Sequence, residues 1–226
     1  MFMTTNQHDF PELYDNTEAR CPVVLVLDVS GSMSGEPIKE LNDGLKVLKD
    51  ALEKDITASL RVEVAVVTFG GSINLAHDFA TMDGFNPPTL STTGDTPMGE
   101  AIEYSLQLVA ERKEQYKNHG VKYYQPWVWL ITDGYPNMNS PWLEAAQKVH
   151  QAQQEKKISF FAVAVKGADM EKLKQIAPAN RPPIWLNGLD FKTMFLWLSK
   201  SVGKVSSGKL GEEGQTKLEP IGWGHI

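Results

Sequence analysis

Short, continuously apolar runs alternate along this chain with longer amphipathic segments, the pattern of a mostly parallel sheet covered by helices. Val23 to Leu27 is short and apolar throughout, as in a strand buried on both faces. After a Gly/Ser stretch, Ile38, Leu41, Leu45, Leu48 and Leu52 recur at helical spacing. Lys39, Glu40, Asp43, Lys46 and Lys49 fill other positions, which predicts an amphipathic helix. Arg61 to Phe69 reads as a strand, and Gly70-Gly71-Ser72 as a tight turn into Ile73 to Phe79, an antiparallel edge hairpin. A Pro-, Gly- and Thr-rich loop from Ala80 to Asp95 is long for a compact domain, and loops of that length are often functional.

A second helix is predicted from Pro97 to about Glu114, followed by a polar insert from Tyr116 to Gln125 and a strand from Trp127 to Thr132. Ser140-Pro141 predicts a third helix, with Ser as cap and Pro at the first helical position. Ser159 to Val165 reads as a strand, Asp169 to Ala177 as a short helix and Ile184 to Leu186 as a final strand. Phe191, Met194, Phe195, Leu198 and Val202 line one face of a last helix. The expected organisation is a polar segment over 1–20, one domain over 21–205, and a tail over 206–226 whose only large anchor is Trp223.

Composition narrows the function. The 226 residues, 42% hydrophobic and 22% charged, match one ordinary soluble α/β domain. No apolar run approaches the roughly 18 residues of a membrane span. A net charge of −6 argues against non-specific nucleic-acid binding. Met1 to Arg20 lacks the basic and apolar regions of a secretory signal, and Cys21 is the lone cysteine; both features favour the cytoplasm. The five histidines, at 8, 77, 119, 150 and 225, show no zinc-ligand spacing.

The candidate chemistry lies at strand ends, where open α/β sheets bind their ligands. Asp28 ends the first strand, Asp133 directly follows the Trp127 to Thr132 strand, and Thr96 opens the second helix. Asp28-Val29-Ser30-Gly31-Ser32 alternates oxygen-bearing side chains with spacers, a period that can gather a carboxylate and two hydroxyls around one point. Mg²⁺ takes six oxygens at about 2.1 Å and usually keeps some waters. A set with three neutral oxygens leaves such an ion able to attract an acidic oxygen from outside. Each feature also has a plainer reading. Thr96-Pro97 suits a helix cap, Asp133-Gly134-Tyr135-Pro136 suits a turn, and the Gly/Ser stretch suits a flexible loop. Their combination points to a site.

LVLDVSGSMSGEPIKELNDGL, TTGDTPMGEAI and WLITDGYPN resemble the three motifs of the metal-ion-dependent adhesion site of von Willebrand factor A domains. YYQPWVWLITDG and FKTMFLWLSKSV add a similarity to the bacterial tellurium-resistance TerY-type proteins. The resemblance implies a Rossmann-like sheet of six strands in the order 3-2-1-4-5-6, strand 3 antiparallel, with helices on both faces. It further implies that Asp28, Ser30, Ser32, Thr96 and Asp133 hold Mg²⁺, or another divalent cation such as Mn²⁺ or Ca²⁺. By the same resemblance the chain is a non-enzymatic adaptor in a stress-response system with kinase- and phosphatase-like partners. Its protein partner would supply an acidic side chain to the metal. Asp95, beside Thr96, and Tyr135-Pro136, after Gly134, depart from the usual motifs; Asp95 would add negative charge to the rim.

Other readings fit the residues less well. In a haloacid dehalogenase-type phosphatase Asp28 would be the nucleophile, but Ser30 stands where the acid should be and cannot protonate a leaving group at neutral pH. A phosphate-binding P-loop fails because Gly31 to Gly35 is one residue short and Glu36 replaces the required Lys. A structural interaction domain with an empty site is the third. Arg112, Lys113, Lys117 and Lys122 with Tyr116, Tyr123 and Tyr124 could suggest nucleic-acid contact, but Glu111 and Glu114 favour a solvated helix end.

Overall fold

Cys21–Asp28 forms the central strand β1, and all eight of its residues are buried. Alternation along it divides the core. Val23, Leu25 and Leu27 join one apolar cluster and Val24 and Val26 the other, because successive strand side chains point to opposite faces. The structure, a computed structural model, describes residues 12–212 and 216–226. In chain order the helices are α1 (Glu12–Asp15), α2 (Glu36–Glu53), α3 (Ile56–Arg61), α4 (Met98–Asn118), α5 (Trp142–Gln154), α6 (Met170–Ile176) and α7 (Phe191–Ser207). The remaining strands are β2 (Val62–Gly70), β3 (Ser72–Ala80), β4 (Trp127–Thr132), β5 (Ser159–Ala164), β6 (Ile184–Leu186) and β7 (Gly224–His225).

The sheet order is β3-β2-β1-β4-β5-β6-β7. The five strands from β2 to β6 are parallel neighbours. β3 returns antiparallel to β2 and exposes alternate residues, as an edge strand with one wet face does. The sheet thus has seven strands rather than the expected six. The extra strand comes from the tail: Trp223 is buried, and Gly224 and His225 pair antiparallel with β6. Two paired residues carry no period that a sequence pattern could reveal.

Helices α2 and α7 cover one face of the sheet through Leu41, Leu45, Leu48, Phe191, Phe195 and Leu198. Their approach is close, since a Cβ at Gly44 would stand 2.7 Å from a Phe195 ring carbon. The other face carries α4, α5 and α6 through Ile102, Val109, Ala145, Val149, Leu173 and Ile176. Among the described residues no helix is long and apolar enough to cross a membrane.

Four local expectations need correction. Helix α3 was not expected; Asp55 caps it by accepting the Thr57 and Ala58 amides. Helix α4 runs past Glu114 to Asn118 and takes Tyr116 out of the polar insert. Ser140 does not cap α5 but accepts the Gly99 amide of α4 at 2.9 Å. The helix end expected to be solvated is so only in part: Lys117 and Lys122 are exposed, but Arg112, Tyr116 and Tyr124 are buried. Glu63, also buried, accepts from Arg112 Nε at 3.0 Å, Arg20 Nε at 2.9 Å and the Tyr116 hydroxyl at 2.5 Å. Burying charge is tolerable only when it is paired and hydrogen-bonded in this way. Of the N-terminal segment 1–20, residues 1–11 lie outside the described residues; within α1, Leu13 is buried. Residues 213–215 of the tail also lie outside them.

Candidate functional site

The carboxyl ends of β1 and β4 lie side by side, because Leu27 of β1 pairs with Ile131 of β4 in parallel register. That register sets Asp28 beside Thr132 and brings the two following loops together. Thr132 Oγ1 donates to Asp28 Oδ2 at 2.5 Å and accepts the Gly134 amide at 3.1 Å. The Ser30 amide donates to Asp28 Oδ1 at 2.8 Å, which turns the chain back over the strand end. Ser30 Oγ and Ser32 Oγ stand 3.1 Å apart, and Ser32 Oγ donates to Asp133 Oδ1 at 2.7 Å. Four of the five expected side chains therefore form one chain of contacts.

Thr96 arrives from a third direction. A Cβ at Gly134 would lie 3.2 Å from Thr96 Oγ1 and 3.4 Å from Asp28 Oδ2, so both oxygens border the same small space. The plainer reading of Thr96 as a helix cap fails. Helix α4 begins at Met98 without a side-chain cap, and Ser140 takes the Gly99 amide instead. Asn137 holds Thr96 in place: its Oδ1 accepts the Thr96 amide at 2.9 Å, and its backbone amide donates to the Thr96 carbonyl at 3.0 Å. The same Asn137 donates to the exposed Asp95 carboxylate at 2.9 Å.

The second half of the long loop before α4 is fastened to the rest of the site. Asn42 on α2 exchanges two hydrogen bonds with the Leu90 backbone, at 2.7 and 2.9 Å. The Thr93 amide donates to the Val29 carbonyl at 2.7 Å, the Gly31 amide to Gly94 at 3.0 Å and the Gly71 amide to Asp95 at 2.8 Å. Gly94 has φ +61, and a Cβ there would lie 2.4 Å from Gly71 Cα. Only a residue without a side chain fits both that backbone conformation and that approach.

Asp28, Ser30, Thr96 and Asp133 are buried, while Ser32 is exposed and opens the crevice to solvent. Burial is the largest influence on both carboxyls and pushes each above its ordinary value; the Asp133 charge adds to this at Asp28. Among the described residues neither carboxyl has a lysine or arginine partner. No group of three or more His, Cys, Asp or Glu assembles among them either, so the crevice offers two carboxylates and three hydroxyls. Thr132 and Asn137 were not anticipated as site residues. The turn sequence Gly-Tyr-Pro-Asn was a signal for Asn137, whereas Thr132 depends on which strand lies beside it.

A family model for the von Willebrand factor type A domain matches residues 23–194. No curated protein matches the chain. Among solved structures, proximal thread matrix protein 1 from the mussel byssus is 18% identical, with a TM-score of 0.57 over 83% of this chain and 49% of that one. A further structure of the mussel protein, described as having a zinc-occupied MIDAS motif, gives 0.54 at 18% identity, covering 83% and 48%. The pilus adhesin SpaC of Lactobacillus rhamnosus GG gives a TM-score of 0.66 at 13% identity, over 84% of this chain and 31% of that one. The von Willebrand domain of the pilus tip protein Mfa5 from Porphyromonas gingivalis gives 0.56 at 12% identity, over 82% and 95%. The chain thus spans about half the length of the mussel protein and under a third of SpaC. At such identities the likeness concerns the fold, and it agrees with the family match: this chain belongs to the von Willebrand factor type A domain family.

Proposed function

We propose that the chain is a divalent-cation-dependent protein-binding module. Asp28, Ser30, Ser32, Thr96 and Asp133 would hold the ion as a metal-ion-dependent adhesion site. The observation that carries this reading is the convergence of these oxygens from three loops. Neighbouring oxygens on an octahedral shell with bonds of about 2.1 Å stand about 3.0 Å apart. The spacings of 3.1 Å between Ser30 and Ser32 and 2.7 Å between Ser32 and Asp133 are close to that edge. Neither buried carboxyl has a lysine or arginine partner among the described residues, so a bound cation would offset the cost of burying their charge. Mg²⁺ suits the hard oxygen set, and Mn²⁺ or Ca²⁺ would occupy the same ligands.

When bound, the ion would supply a positive centre able to accept an oxygen from another molecule. Three of its five donors would be neutral hydroxyls, so the ion would keep positive character at an open position, where an acidic side chain of a protein partner is the favoured visitor. Ser32, exposed at the mouth, marks the side of approach. The role is binding rather than catalysis, because Ser30 occupies the position where a phosphatase of the rival type needs an acid. The TerY-like motifs support a place in a bacterial tellurium or stress-response system in the cytoplasm, with kinase- and phosphatase-like partners.

The test is affinity capture from the native host in Mg²⁺ and in chelator, with wild type and Thr96→Ala. The Thr96 hydroxyl does not cap α4, so the variant should keep its melting temperature within a few degrees while losing most of the Mg²⁺-dependent capture. Full-strength capture in excess chelator would remove the crevice from the contact surface.

A further inference from the structure

A cavity of about 230 Å³ lies away from the crevice, where β5 and β6, α7 and the tail meet. Phe161, Pro182, Ile184, Trp197 and Ile221 make most of its wall apolar, and Arg181 adds one guanidinium. Arg181 stacks over the Phe161 ring at 4.6 Å. Phe161 stacks in turn on Trp129 at 4.7 Å, which leads to Trp197 and Trp223 at 5.8 and 6.1 Å.

Among the described residues, four buried side-chain polar atoms lack a hydrogen-bond partner. Three are N–H donors of this one cluster, namely Arg181 Nη1, Trp129 Nε1 and Trp223 Nε1; the fourth is Ser201 Oγ. Native interiors rarely leave donors unpaired, and here the shortage is of acceptors. Burial lowers the pKa of the Arg181 guanidinium, and among the described residues no carboxylate offsets it. Glu219, the one acid among the described residues of the cavity wall, is ion-paired with Lys204.

We propose that this cavity binds a small amphiphilic carboxylate, its apolar body against Phe161, Ile184 and Trp197 and its carboxylate on Arg181. The volume of about 230 Å³ falls below the roughly 300–1,000 Å³ of drug-sized sites, which sets the ligand at roughly one ring or eight carbons. A carboxylate matches the planar edge of a guanidinium. A phosphate dianion would bring a second charge against apolar walls and Glu219. The tail supplies Leu218, Ile221 and Ile226 to the wall and is anchored by the Trp197 indole, which donates to the Glu219 carbonyl at 2.8 Å. Ligand binding would therefore stabilise the docked tail.

Calorimetric titration of the full chain with octanoate, n-octanol and acetate tests this. Octanoate should bind saturably, in chelator as well as in Mg²⁺, and octanol and acetate at least about tenfold more weakly, the difference expected of a charged hydrogen bond. Arg181→Gln should reduce octanoate to the level of octanol. Ile221→Trp, which enlarges a partly exposed wall residue, should remove binding and serves alone if circular dichroism shows Arg181→Gln to be unfolded. Absence of saturable octanoate binding, equal affinity for octanol, or full affinity in both variants would overturn the proposal.

Discussion

Thr132 shows how a single hydroxyl can serve a site without belonging to its donor set. It donates a hydrogen bond to Asp28 Oδ2 and accepts one from the Gly134 amide, so it sets the carboxylate and the next loop at once. Thr132→Val keeps the shape and removes both bonds, leaving a buried acceptor and a buried donor short. The expected cost is about 1–3 kcal/mol in urea unfolding, with weaker cation binding as well. An unchanged unfolding midpoint would show that Asp28 is positioned without Thr132. That Asp28, Asp133 and Thr96 come together was legible because two stand at strand ends and one just before a helix, and the alternating Asp28-Val29-Ser30-Gly31-Ser32 loop added the two serines. Thr132 was not legible, because its role depends on the lateral register of β1 and β4. Asn137 could be read as a turn residue, but nothing local indicates that it holds both Thr96 and Asp95.

Between elements, the start of α4 is fixed by its contact with α5. A Cβ at Gly99 would stand 2.6 Å from the Trp142 amide nitrogen and 2.7 Å from the Pro141 carbonyl carbon, both backbone atoms that cannot turn aside. Gly99→Ala should therefore force the helix starts apart at about 1–3 kcal/mol. Because Thr96 lies at the head of α4, the variant should also lower Mg²⁺ affinity in a titration at a temperature where it remains folded. Wild-type affinity would mean that Thr96 is placed by Asn137 alone. The same scale explains which elements the sequence revealed. Strand β1 and helices α2 and α7 were legible because their apolar residues face the core at the expected period. Helix α3 was hidden because its largest apolar side chains face outward, Ile56 being 80% exposed and Leu60 45%, while Ala58 is the residue it buries. Ser140-Pro141 marked a true helix start, yet the serine serves the neighbouring helix, a choice that depends on tertiary packing.

Over the whole molecule, two devices far from the crevice hold the frame. The Glu63 cluster ties β2 to α4 through Arg112 and to the chain before β1 through Arg20. Trp223 fastens the tail within the aromatic cluster on the α7 side and adds β7 to the edge of the sheet. Trp223→Ala should cost about 3–5 kcal/mol, as truncation of a buried tryptophan does, seen as a lower denaturant midpoint. A change below about 1 kcal/mol would mark the tail as an accessory to a domain stable without it. The proposed single divalent-cation site at the ends of β1 and β4 can be measured by calorimetric titration of chelator-stripped protein with Mg²⁺ and Mn²⁺. One ion should bind per wild-type chain. Asp28→Ala should bind none while keeping the wild-type circular dichroism spectrum. Binding of the same ion by Asp28→Ala, with wild-type stoichiometry and affinity, would show that the ion is not held in this crevice.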